Sequence, residues 1–244
     1  MPKDNVSLFD VFGPVMIGPS SSHTAGVARI AFLSRKMFGF TPDKVRVRFF
    51  GSLASTYKGH GSDNAVIAGL LEIPPSSEDL SHGKRILENH LKEKKGFAVE
   101  ILCGNDMPKS WHPNTLSLEL FSMLDGIENR LSIRAASIGG GAILINEVNG
   151  YEVNLSGENE AILVLHIDEV GVIAGVTKVL AENEINIAFT SSHRKEKGQE
   201  ALLVVEVDGI INSEVINKIE ELSPVFKVIK VPSLAEEQGR GEPA

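Results

Sequence analysis

Residues 160–183 read EAILVLHIDEVGVIAGVTKVLAEN, and the reading of this stretch decides the architecture of the second half of the chain. Residues 160–168 form an apolar run of strand length. From residue 171 the period changes: Val172, Val176, Val179 and Leu180 fall on one stripe at helical spacing, so 171–183 is predicted as a helix. Working outward, 185–192 (INIAFTSS) and 200–207 (EALLVVEV) read as strands joined by the charged turn 193–199 (HRKEKGQ). Residues 211–222 (INSEVINKIEEL) read as a helix and 225–231 (VFKVIKV) as a last strand. The order is βαββαβ, the ferredoxin-like pattern.

The preceding half mixes the two periods without strict alternation. Residues 27–40 read as an apolar-faced helix ending near Gly39, 44–50 (KVRVRFF) as a strand, 65–71 and 79–95 as helices, and 97–103 as a strand. Residues 115–124 and 128–138 alternate again, and 142–148 meets 151–155 across Asn149-Gly150, a strong hairpin signal. The fold class is α+β: a mixed α+β unit over 1–155, a ferredoxin-like unit over 156–232 and a polar tail over 233–244.

The totals restrict the function. The 24 Lys and Arg against 32 Asp and Glu give a formal charge of −8, which argues against non-specific nucleic-acid binding but leaves room for a locally bound anion. One cysteine, Cys103, rules out an intramolecular disulfide and a CxxC-type metal site; at the end of an apolar strand it reads as a core filler. The first ten residues, MPKDNVSLFD, lack a signal pattern, and no apolar run is long enough for a membrane span, so a cytoplasmic protein is expected.

Two motifs carry chemistry. Residues 18–26 read GPSSSHTAG, with Gly18-Pro19 stopping the preceding chain. Ser20, Ser21 and Ser22 are good N-cap residues for the helix that follows, and one of them would suffice for a cap. Together with His23 and Thr24 at a helix N-terminus, they also suit a carboxylate or phosphate. Residues 51–64 read GSLASTYKGHGSDN, where Gly59-His60-Gly61 interrupts a helical run. Flanking glycines leave an imidazole unshielded, so His60 is a candidate acid or base, with Asp63 three residues on to orient it or to cap the next helix; the alternative is a polar loop with a surface histidine. Residues 111–115 (WHPNT) read as a structural turn, and 137–141 (SIGGG) as close backbone packing or a ligand wall. His82 and His90 read as solvated residues of a charged helix.

Taken in order, GPSSSHTAG (18–26), GHGSDNAVIAGLLEIPPS (59–76), HPNT (112–115) and SIGGG (137–141) closely resemble the β chain of bacterial iron–sulfur-dependent L-serine dehydratases. The first unit is similar to the allosteric substrate-binding domain of some 3-phosphoglycerate dehydrogenases, and the second resembles an ACT domain, an amino-acid-sensing module. The resemblance implies conversion of L-serine to pyruvate and ammonia, with a [4Fe–4S] cluster acting as Lewis acid on the departing hydroxyl. Such a cluster takes about three or four thiolates. With one cysteine in this chain, the resemblance implies that a partner alpha chain ligates the cluster and that this chain holds no metal. It further implies that Ser20, Ser21, Ser22, His23 and Thr24 hold the substrate carboxylate, that Gly61 and Asp63 line the site, and that His60 is catalytic. In the ACT unit, His166, Asp168 and Asn186 stand where serine-regulated dehydrogenases place ligand contacts, while Val170 replaces the usual proline of that loop. Self-association through ACT domains is expected.

Two other classes compete. One is a non-catalytic amino-acid sensor built from the anion pocket and the ACT unit. The other is a metallohydrolase on His23, His60 and His112, which lacks paired carboxylate ligands at a known spacing. A pyridoxal-phosphate enzyme is disfavoured because no Schiff-base lysine pairs with a phosphate-cradling glycine loop.

Overall fold

The computed structural model describes residues 20–104 and 106–234. The expected stop at Gly18-Pro19, the chain start and most of the tail lie outside them. A π-helical turn, Ser21–Ala25, runs directly into α1, Gly26–Phe38. Helix α1 stops where Gly39 takes a left-handed conformation (φ 89°) and returns its N–H to the Arg35 carbonyl. Strand β1 (Lys44–Phe50) is followed by α2 (Gly51–Thr56), α3 (Ser62–Leu70) and α4 (Gly83–Lys92). Then come β2 (Ala98–Gly104), β3 (Thr115–Leu124), β4 (Ile127–Gly139), β5 (Ala142–Val148) and β6 (Tyr151–Leu155). The helix expected over 79–95 is divided into a 3-10 turn, Glu78–His82, and α4. The break falls at His82 (φ −111°, ψ 9°), and Gly83 after it lets the chain approach α3, since a Cβ there would lie 2.3 Å from the Asn64 carbonyl oxygen.

These strands form one sheet in the order β2-β1-β3-β4-β5-β6, with β1 and β2 parallel and the other pairs antiparallel. The expected β5–β6 hairpin is present, with Asn149 and Gly150 at φ 51° and 80°. The topology brings three chain segments to one end of the sheet. Phe49, at the end of β1, is opposite Leu116, and Thr115 is opposite Ala136 near the end of β4. The loops at Gly51, Pro113 and Gly140 therefore share that end.

Strand β7 (Glu160–Ile167), α5 (Val172–Glu182), β8 (Asn186–Arg194), β9 (Glu200–Asp208), α6 (Ser213–Glu220) and β10 (Val225–Val231) complete the fold in the predicted βαββαβ order. Their sheet runs β10-β7-β9-β8. Strand β7 is apolar without alternation because both of its faces are covered. Ile162 and Val164 pack with Val176, Leu180, Val215 and Ile219 of α5 and α6. Leu163 and Leu165 belong instead to the core that contains Phe32 and Leu33 of α1. The two sheets thus share α1 as a common filler. Among the described residues no helix is long and apolar enough to cross a membrane.

Cys103 departs from expectation. It is exposed rather than buried, because β2 is an edge strand of its sheet. Its thiol lies 3.7 Å from the Ala54 carbonyl.

Helices α1 and α3 approach closely at Gly69, where a Cβ would stand 2.3 Å from the Ala28 carbonyl oxygen and 2.8 Å from the Ala31 Cβ. Both obstacles belong to a buried helix, so the pair must separate to admit a methyl group. Gly69→Ala is expected to destabilise the protein by about 1–3 kcal/mol, as overpacked cores do. Urea denaturation checks this as a lower midpoint at unchanged slope.

Candidate functional site

The site begins at the start of the continuous helical run from Ser21 to Phe38. The Ser20 hydroxyl accepts from the His23 backbone N–H (3.2 Å), and its carbonyl accepts from the Thr24 N–H (2.9 Å). Ser20 is therefore the cap. The N–H groups of Ser21 and Ser22 lie in the first turn of the run, among those a helix leaves without a partner in its own turns. The dipole of the long helix adds positive potential at the same place. The Ser22 hydroxyl is half-buried and makes no hydrogen bond to the described residues.

Thr24 has a different part from the one expected. Its hydroxyl, on a residue only 5% exposed, donates to the His60 carbonyl (3.1 Å). It holds the Gly59-His60-Gly61 loop against the helix start rather than offering itself to a ligand. The loop does break the helical run, between α2 and α3, and Gly61 (φ 68°) occupies the N-cap of α3.

His23 is the hub. Its Nδ1 lies 3.1 Å from the Ser20 Oγ and its Nε2 lies 3.1 Å from the Ser52 Oγ. The His60 ring sits beside it, centroid to centroid 4.8 Å and tilted by 33°. Burial, followed by the neighbouring His60, holds His23 below its ordinary pKa of 6.5. The His60 Nδ1 is buried without a hydrogen-bond partner.

Asp63 does not orient His60. Only 6% exposed, its carboxylate pairs with Lys84 at the start of α4 and accepts from the Asn64 N–H (2.9 Å). A nearly buried carboxylate needs a cation, and Lys84 supplies it. His112 is exposed and its Nδ1 accepts from the Asn114 N–H (3.1 Å), which makes a local turn. That turn has a use: the Pro113 carbonyl accepts from the Ser52 N–H (2.8 Å). Gly51 is required beneath it, since its φ is 51° and a Cβ would meet the Pro113 oxygen at 2.5 Å. In the SIGGG segment, the buried Ser137 packs on Gly26, where a Cβ would stand 1.9 Å from its Oγ, and Arg29 donates to the Gly141 carbonyl (2.9 Å). Close packing is the reading that fits this segment.

Ser52 is the residue that sequence reasoning missed. The available signal was its position, a Gly-Ser pair turning from the end of a parallel strand into a helix, where α/β sheets commonly seat ligands.

The ACT-unit trio is not gathered at one point. His166 is 2% exposed, with Nδ1 2.7 Å from the Ile167 oxygen and Nε2 unpartnered. Asp168 accepts from Arg194 (2.8 Å) and the Gly198 N–H (3.2 Å); the latter bond first and Arg194 second hold its carboxyl below the usual range. It lines an open cleft of about 680 Å³ with Gly171, Arg194 and Lys197. Asn186 donates to Asp208 (2.6 Å) and borders a different cleft, of about 500 Å³.

Among the described residues, no three His, Cys, Asp or Glu side chains come together as a metal site. The single cysteine is exposed on an edge strand, so these residues do not fit an iron–sulfur cluster by themselves.

Comparison with known proteins adds the following. Residues 7–148 match the family model described as serine dehydratase beta chain, and residues 161–224 match the ACT domain. The chain is 43% identical to the probable L-serine dehydratase, beta chain, of Bacillus subtilis, over 92% of this chain and 97% of that protein. It is 33% identical to the L-serine dehydratase, beta chain, of Peptoniphilus asaccharolyticus, over 83% of this chain and 87% of the other. The L-serine dehydratase of Haemophilus influenzae is 30% identical over 74% of this chain, a match covering only 43% of that longer protein.

Because its folded-state pKa is depressed, His23 binds fewer protons folded than unfolded. Its contribution to stability is therefore intact above the unfolded value of 6.5 and is lost as pH falls from there toward the depressed folded value. An NMR titration of the full chain is expected to give the His23 ring a midpoint below 6.5. Replacing His60 with Gln is expected to move its midpoint upward, toward that of a free imidazole.

Proposed function

Since the chain belongs to the serine dehydratase beta chain family, we propose that it supplies half of a composite active site that converts L-serine to pyruvate and ammonia. The other half comes from a cysteine-bearing alpha chain that ligates a [4Fe–4S] cluster. The single cysteine supports this division of labour. So does the longer Haemophilus relative, in which the match leaves more than half of that protein for other structure. Lewis-acid assistance to the departing hydroxyl is the cluster's contribution and belongs to the partner.

The observation that carries the reading is the helix start at Ser21 and Ser22 beside the neighbouring His23 and His60 rings. The serine carboxylate is received by the free N–H groups of Ser21 and Ser22, with the Ser22 hydroxyl as a further donor. Thr24 positions the His60 loop. His60, next to the neutral His23, takes part in moving the proton from the α-carbon. Loss of that proton and of the β-hydroxyl gives aminoacrylate, which water converts to pyruvate and ammonia. Asp63 is a brace of the loop in this reading, and Gly61 gives it its turn.

The remaining assignments follow from the same reading. The first unit ends and the ACT unit begins within residues 156–159, and the ACT unit is regulatory, with its amino-acid ligand at the Asp168 cleft. Copies of the chain associate edge to edge along β8, the open strand of its sheet. The complex works in the cytoplasm.

The test is anaerobic co-purification of the tagged chain from its host, followed by iron content and serine-dependent pyruvate formation. A cysteine-rich partner, iron and pyruvate together are expected. A lone chain that binds amino acids but yields no pyruvate with any partner would favour the sensor reading. In the active complex, His60→Ala is expected to lower kcat by about 10²–10⁴, the range for a positioned acid or base. Ser22→Ala is expected to raise KM by about tenfold, the loss of one hydrogen bond to a charged group.

A further inference from the structure

Ser52 has no role in the reading above, yet its hydroxyl is fixed as firmly as any in the site. Its N–H is held by Pro113 (2.8 Å), and its carbonyl accepts from the Ser55 (3.0 Å) and Thr56 (2.7 Å) hydroxyls. Gly51 before it cannot be replaced without meeting the Pro113 oxygen. The one hydrogen-bond partner of its Oγ among the described residues is the His23 Nε2, at 3.1 Å.

We propose that Ser52 is a positioning residue that fixes His23 as the Nε2–H tautomer. The Ser20 hydroxyl already accepts from the His23 backbone N–H. Either tautomer leaves one hydroxyl proton without an acceptor among the described residues, Ser20's or Ser52's, so the helix decides between them: the Ser20 hydroxyl donates to Nδ1 (3.1 Å), because an unprotonated nitrogen is favoured over an N–H at the positive end of a helix. Nε2 then carries the hydrogen and donates it to the Ser52 Oγ, whose own proton is left directed toward the half-buried space around the site.

This inference deepens the serine dehydratase reading and rests on it only for the effect on turnover. The experiment uses the full chain labelled with ¹⁵N, with His23→Gln to assign the ring signals. Wild type is expected to show Nδ1 unprotonated and Nε2 protonated. Ser52→Ala is expected to give a mixture of tautomers, and Ser52→Thr, which keeps the hydroxyl, to restore the single form. In the assembled enzyme, Ser52→Ala is expected to lower kcat about tenfold or more with a smaller change in KM, and Ser52→Thr to recover most of it. An Nδ1–H ring in wild type, a ring indifferent to Ser52→Ala, or a Ser52→Ala kcat equal to wild type would each overturn the proposal. Failure of the dehydratase reading is distinguishable, because it appears as an inactive wild-type complex whatever the ring spectrum.

Discussion

The structure depends on helix α1 being buried from two directions at once. Ala28 and Ala31 admit Gly69 of α3 at backbone distance, while Phe32 and Leu33 share a core with both sheets. A helix held this way has no freedom to slide. Its N-terminus is therefore fixed relative to the end of the first sheet, where the loops from β1, β3 and β4 arrive. The site is what lies between that helix start and those loops, and its precision is inherited from a buried contact between small residues.

Within the site, most polar groups act on one another. Ser20 caps, Thr24 holds the His60 carbonyl, Pro113 holds Ser52, and Asp63 is taken up by Lys84. Among the described residues, the Ser22 hydroxyl and the His60 ring remain uncommitted, beside the first N–H groups of the helix. In the proposed reading this small set receives an anion on a chain of net charge −8. In that reading the attraction comes from oriented dipoles, not from a cluster of cations.

Much of the frame was legible in the sequence because local rules determine it. The strand over 44–50, the Asn149-Gly150 hairpin, the helix stop at Gly39 and the βαββαβ order all follow from periodicity and turn chemistry. The motif 18–26 and the loop around His60 were legible as chemistry, and the fold does bring His23 and His60 together. The misreadings have one physical origin: they concern partners distant along the chain. Cys103 is exposed because β2 turned out to be an edge. Asp63 looked like a partner for His60 three residues away, but Lys84 claims it from across a helix pair. Ser52 was invisible because its meaning depends on His23, 29 residues earlier, and on a proline carbonyl beyond the next strands.

The central claim is that the start of the helical run at Ser21 receives the serine carboxylate next to His60. A crystal structure of the two-chain complex with bound L-serine tests it most directly. The account predicts the carboxylate within hydrogen-bond distance of the Ser21 and Ser22 N–H groups, with the α-carbon facing the His60 side of the pair. Serine bound with its carboxylate on the partner chain, and this helix start facing only water, would contradict it.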